Sequence, residues 1–171
     1  KKNYNKRRND KNVIIKPYFS DKVTMVYYYT GMKPDIIDAI VDAGYKGIVF
    51  VGTGLGHVNK EIYPAIRRAH AAGVHMYMTL QTIWGFVQMY VYDTGRDMMA
   101  MGIIPAGNML PEVGYIKLSW ALGQTEDPEE VKNLMLTPIN DEITEREPYN
   151  GYLVYQGGLP EVEDFIRKVR K

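Results

Sequence analysis

No cysteine occurs in the 171 residues, which excludes a disulfide framework, a thiolate zinc ribbon and a cysteine nucleophile. Histidine is scarce: His57, His70 and His75 are the only three, and none has a partner at metal-ligand spacing. An excess of one charge is also missing. With 21 Lys+Arg against 20 Asp+Glu, no overall field points to nucleic acid or to a membrane surface. No apolar run approaches the roughly 18–20 residues that a bilayer-spanning helix needs. Three nucleotide and hydrolase signatures fail as well: there is no GxxxxGK[ST], no GxGxxG closed by an acidic strand end, and no Ser/His/Asp order. No signal-peptide pattern follows Lys1. A first residue other than Met reads as a trimmed tag or as a piece of a longer protein, and the second reading is the one expected here.

What remains is enough for one domain with a sizeable core, since 46% of the residues are hydrophobic. The 14 Tyr and 10 Met sit inside apolar runs, as core and core-margin residues do. Residues 1–12 carry six Lys/Arg against one acid, 6 − 1 = +5, without the apolar half of an amphipathic helix; they read as a basic linker. Beyond them β and α patterns alternate. Residues 13–16 form a short β-rich run, and VTMVYYY at 23–29 and GIVFV at 47–51 are strands. The run at 74–78 is the next strand and 102–105 a short apolar one. Between them lie helices: one opening at Pro34 and ending at Gly44, one ending at Gly73, and one near 96–101. The stretch 110–122 suits a buried helix, and Asp127 with Glu130 has capping-box spacing for the next. Residues 152–155 and 159–169 predict a last strand and helix, an extension over 148–171. The whole is an α/β domain with a mainly parallel sheet flanked by helices, flavodoxin-like in class, with the domain proper over 13–147.

In such a sheet the strand-to-helix turns gather on the carboxyl edge, where ligands bind. Three turns should meet there. One contains Thr30, Gly31, Met32 and Lys33, one Gly52, Thr53, Gly54, Leu55, Gly56 and His57, and one Thr79, Leu80, Gln81 and Thr82. The glycine-rich turn is either a tight structural turn or a ligand loop, with the following helix offering free N–H groups to a carboxylate or phosphate. His57 is either a general base or a turn histidine bonded to nearby backbone. Asp93, Arg96 and Asp97 read as the solvated first turn of a helix, and Glu112 as a carboxylate favoured by a helix start. No catalytic group, metal site or cofactor site emerges from these residues.

A resemblance adds a family. The stretch YYYTGMKPDIIDAIVDAGYKGIVFVGTGLGHV resembles the C-terminal half of asparaginases, most nearly in the D subunits of archaeal glutamyl-tRNA(Gln) amidotransferases. Gln81, Gly85, Val87, Met89, Tyr92 and Gly95 fit that family's TQ…G.V.M..Y..G pattern, and GIIPAGNMLPEVGYIKLSWALGQT and DEITERE continue it. The resemblance implies amide hydrolysis through threonine nucleophiles carried by an N-terminal half, in TGGT-like and HGTDT-like motifs that this chain lacks. Catalytic residues are therefore expected to be absent here. It implies a substrate-proximal loop of Gly52, Thr53, Gly54, Gly56 and His57, with Thr79, Gln81 and Tyr92 as possible edge contacts, and neither metal nor cofactor. The implied partners are the missing N-terminal catalytic half, a homodimer partner, the E subunit of the amidotransferase and, through it, tRNA. A cytoplasmic location without membrane contact follows from the same likeness. His57 stands where asparaginases often carry Asn, and Gln88, Asn108 and Gln124 stand where Asn, Asp and His are common. Two alternatives stay open: the C-terminal half of an L-asparaginase, or a stand-alone small-ligand-binding or interaction domain.

Overall fold

A computed structural model describes residues 12–145 and 160–169. Four strands form one parallel sheet in the order β1-β2-β3-β4: β1 Val23–Tyr27, β2 Gly47–Gly52, β3 His75–Leu80 and β4 Ile103–Pro105. The crossovers carry α1 Asp35–Asp42, α2 Tyr63–Ala71 and α3 Asp93–Ala100, and the chain continues through α4 Pro111–Gln124 and α5 Pro128–Leu136 to α6 Pro160–Val169. The α/β class and the parallel sheet flanked by helices agree with the sequence. Within that class the strands run consecutively, with no reversal among the described ones.

Consecutive order has a packing consequence. Right-handed crossovers that all advance in one direction put their helices on one face. Ile37 of α1, Ile66 and Ala69 of α2 and Met98 of α3 accordingly pack with Ile48, Phe50, Met76 and Met78. The alternate strand residues Val49 and Tyr77 face the other way, onto Leu118 and Ala121 of α4 and Val131 and Met135 of α5. Period-2 alternation therefore feeds two cores through one sheet. All six residues of β2 are buried, because it lies between two neighbours and between two helical layers.

Local signals explain the element ends. Gly44 and Gly73 take positive φ of 73° and 74° just past α1 and α2, where a side chain would be strained. The Asp127 carboxylate accepts the Glu130 N–H at 2.8 Å, which caps α5 as its spacing foretold. β3 runs two residues further than its sequence pattern, to Leu80, since Thr79 and Leu80 are also buried.

Residues 13–16 correct an expectation, for they form no strand. Residues 12–20 are instead a strap over α4. The Trp120 indole donates to the Lys16 carbonyl at 3.2 Å, the Gln124 amide to the Tyr18 carbonyl at 2.7 Å, and the Ser20 N–H to the Ser119 carbonyl at 2.8 Å. Partners on a helix take the place of a neighbouring strand. The basic run 1–11 and the strand expected at 152–155 lie outside the described residues.

Candidate functional site

The carboxyl edge is stitched together by one side chain. The Gln81 amide donates to the Val51 carbonyl at 3.0 Å and to the Tyr28 carbonyl, while its backbone N–H donates to the Gly52 carbonyl at 3.0 Å. The ends of β1, β2 and β3 are thereby held in one arrangement. Lys33 of the first turn pairs with Glu61, tying that turn to the segment before α2. The second and third turns singled out by the sequence meet through Gln81 and Gly52, while the first is joined to the segment before α2.

The glycine loop leaves this edge as a closed turn. The Thr53 N–H donates to the His57 carbonyl at 3.1 Å, and the Gly56 and His57 N–H groups both donate to the Thr53 carbonyl at 3.0 Å. Gly56 has φ 95°, and a Cβ there would lie 2.9 Å from Met78 Cγ and 3.1 Å from Val87 Cγ1. A side chain is thus excluded twice, by conformation and by space. Gly54, at φ 54°, projects into open space, and Thr53 is exposed beside it. The helix does not follow directly. A 3-10 turn over Lys60–Ile62 intervenes, so the loop is not itself the cap of α2.

His57 turns inward. Its Nδ1 lies 3.2 Å from Thr94 Oγ1, and its ring meets Tyr92 edge-on at 5.1 Å between centroids. Nε2 is enclosed without a hydrogen-bond partner. Burial pulls the imidazole below its usual 6.5, and the nearby Asp93 carboxylate opposes this only in part. At neutral pH the ring is therefore uncharged. The start of α3 is braced around it: Lys60 pairs with Asp93 at 2.9 Å, and the Tyr63 hydroxyl donates to the Thr94 carbonyl at 3.3 Å. Arg96 donates to the Tyr90 carbonyl at 2.8 Å. Asp93, Arg96 and Asp97 are exposed or half-exposed as their sequence suggested, yet each has a partner.

The remaining candidates divide. Tyr92 lies beside His57 at the site. Thr79 is fully buried and its hydroxyl donates to the Phe50 carbonyl at 2.9 Å, so it serves the sheet rather than the edge. Glu112, at the start of α4, accepts from the Tyr27 hydroxyl at 3.3 Å. Thr94 is the residue that sequence reasoning missed. It sits next to Asp93 in a helix-start pattern, and nothing in the local sequence ties it to a histidine 37 positions earlier.

Chemically, a hydroxyl beside an imidazole has the makings of a nucleophile–base pair. The group that would orient the base is missing in this arrangement. A working base is oriented by a third group, whereas Nε2 has none and the Asp93 carboxylate is held by Lys60. The contact fixes the loop to α3. Among the described residues no three His, Asp or Glu side chains gather as metal ligands, and no helix is long and apolar enough to cross a membrane.

Residues 22–135 match the model of the glutaminase/asparaginase C-terminal domain. The chain is 47% identical over 140 residues to the D subunit of the glutamyl-tRNA(Gln) amidotransferase of Thermofilum pendens, covering 82% of this chain and 31% of that protein. With the D subunit of the same enzyme from Pyrococcus abyssi it shares 46% over 153 residues, covering 90% and 35%. The chain thus spans about a third of the length of these curated relatives. Among solved structures, the thermostable L-asparaginase from Thermococcus kodakarensis superposes with a TM-score of 0.75 at 29% identity, over 84% of this chain and 44% of that one. L-asparaginase I from Vibrio cholerae does so with a TM-score of 0.71 at 25% identity, over 79% and 41%.

Proposed function

The chain belongs to the glutaminase/asparaginase C-terminal domain family, and from that premise we propose that it is the non-nucleophilic C-terminal part of the D subunit of a glutamine-dependent amidotransferase. The carrying observation is the identity of 43–47% with archaeal D subunits, over at least 82% of the chain. The parent, meaning the full-length protein of this reading, hydrolyses the glutamine side-chain amide through threonines in its N-terminal half. The ammonia passes to the partner E subunit, which converts Glu-tRNA(Gln) to Gln-tRNA(Gln). The parent is a cytoplasmic homodimer that needs no cofactor. Residues 13–147 are its C-terminal α/β domain, 1–12 a linker and 148–171 an extension.

In this reading the loop of Gly52, Thr53, Gly54, Gly56 and His57 borders a neighbouring copy's reaction site, with Tyr92 and Gln81 at its margin. The geometry supports division of labour within the loop. Thr53 and Gly54 are the outward tip, and His57 is the anchor that holds the tip against α3. Replacing His57 by Ala removes a positioning hydrogen bond, a loss of about 1–3 kcal/mol, or roughly tenfold in rate per 1.4 kcal/mol. Steady-state glutamine kinetics on the parent test this. His57→Ala and Thr94→Val should lower kcat/KM to similar, modest extents, and unchanged values would make His57 a turn residue only.

The structural likeness to L-asparaginases favours a second reading, in which the parent takes asparagine. Comparing kcat/KM for the two amides in the parent decides between them, and the higher identity to the archaeal D subunits leads us to expect glutamine.

A further inference from the structure

The glycine loop rests on a short segment that is itself held from further along the chain. Phe86, Val87 and Gln88, which follow β3, bridge the loop and the turn after β4. On the loop side the Gln88 N–H donates to the Leu55 carbonyl at 2.9 Å. Val87 fills the space beside Gly56, where a Cβ would lie 3.1 Å from its Cγ1. On the other side the Val87 N–H donates to the Gly107 carbonyl at 3.0 Å. Gly107 has φ 63°, and a Cβ there would stand 3.3 Å from both Phe86 Cζ and Ile143 Cγ2. The next residue, Asn108, binds Thr144 twice. Its Nδ2 donates to Thr144 Oγ1 at 2.8 Å, and its Oδ1 accepts the Thr144 N–H at 2.9 Å. Two residues before Thr144, the Glu142 carboxylate accepts from Lys117 of α4 and from the Ile139 and Asn140 N–H groups.

We propose that Asn108 is a positioning residue for the glycine loop: paired with Thr144, it fixes the turn from which Gly107 and Val87 hold residues 86–88 against Leu55 and Gly56. The inference rests on the reading given under Proposed function, in which the loop borders the reaction site. It adds a second support to the His57–Thr94 contact, on the opposite side of Gly56. Each step is a direct hydrogen bond or a close side-chain contact, so the support is physically continuous from Glu142 to the loop. The primary amide suits position 108 because it donates and accepts from one end. Thr144 uses both functions, taking a bond at its hydroxyl and giving one from its N–H. A carboxylate at 108 retains both bonds, since the threonine hydroxyl can turn and donate to it, whereas a methyl retains neither.

Hydrogen exchange read by mass spectrometry on the full-length parent tests this without substrate. Asn108→Ala should speed exchange severalfold in fragments covering 53–58 and 86–88 while leaving β1, β2 and β3 unchanged. Asn108→Asp should restore slow exchange in both fragments. Acceleration confined to 137–145 would overturn the proposal, because the pair would then clasp that segment alone. So would acceleration spread through the strands, the mark of lost overall stability. Thr144→Val keeps the backbone bond and carries the test where Asn108→Ala does not fold: faster exchange at 53–58 supports the proposal, and unchanged exchange overturns it. Glutamine kinetics form a second arm. Asn108→Ala should raise KM severalfold, as His57→Ala does, and Asn108→Asp should return it; a fall in kcat at unchanged KM, as from a smaller folded fraction, would count against the role. The two readings fail separately. Turnover with an unmoved 53–58 sinks only this proposal, and absent turnover with a loosened 53–58 sinks only the amidotransferase reading.

Discussion

Lys117 carries its ammonium inside the protein, with 4% of its side chain exposed, against Glu142 at 13%. Burial alone would raise the Glu142 carboxyl. The Lys117 ammonium and the Asn140 and Ile139 N–H groups outweigh it and hold the group near 2. Removing one member leaves the other charge buried and uncompensated, so Glu142→Gln should cost about 3–5 kcal/mol. Urea unfolding at pH 7 measures this, and a loss below about 1 kcal/mol, the worth of an exposed pair, would refute it. The same shift makes stability fall with acid from the ordinary 4.5 down toward 2. Two histidines act earlier. Burial lowers both His57 and His75 below 6.5, so the unfolded chain binds protons first as pH drops. Stability should therefore decline as pH falls below 6.5, and His75→Gln should flatten that slope in unfolding titrations between pH 7.5 and 5.5. An equal slope in the variant would contradict the assignment. At this scale the sequence is legible only in part. Composition and turn position marked His57 and Gln81, but what each side chain bonds is decided by elements far apart in the chain. Thr79 and Thr94 show it: one threonine of the expected edge is consumed by the sheet, and an unremarked one holds the histidine.

Elements were more legible, because their signals are local. Glycines at positive φ, prolines at helix starts and the Asp127 cap mark the boundaries, and period-2 burial marks the strands. The exception at residues 13–16 is instructive: β-branched composition favours extended backbone, yet whether a strand or a helix supplies the partners is a tertiary matter. The strap gives a prediction of its own. Gly123→Val should drive the Tyr18 carbonyl off α4, and limited chymotrypsin digestion after Tyr18 and Phe19 should quicken while the core stays folded. Unaltered cleavage would show that the close approach is incidental. In the loop, Gly56→Val should destabilise more than Gly54→Val, since both have positive φ but only Gly56 also meets Met78 and Val87. Thermal unfolding ranks the two, and the reverse order would mean the loop is not packed as described.

The described residues set one sheet between two cores, and the glycine loop at its carboxyl edge packs on the first of them. Class and edge follow from alternation of β and α, whereas the consecutive strand order does not, since crossovers of either progression fit the same pattern. The site shows the same division: the loop could be located, and under the proposed reading its role depends on chain lying beyond this domain. What the edge presents is a pinned loop with a neutral histidine turned inward, an arrangement that positions and lacks an oriented base. Ammonia release from glutamine, measured on the purified 171-residue chain beside the full-length parent, tests the central claim most directly. The account predicts no release above background from the chain, and turnover by the parent that His57→Ala reduces without abolishing. Turnover by the chain itself, abolished by Thr94→Val or His57→Ala, would contradict it.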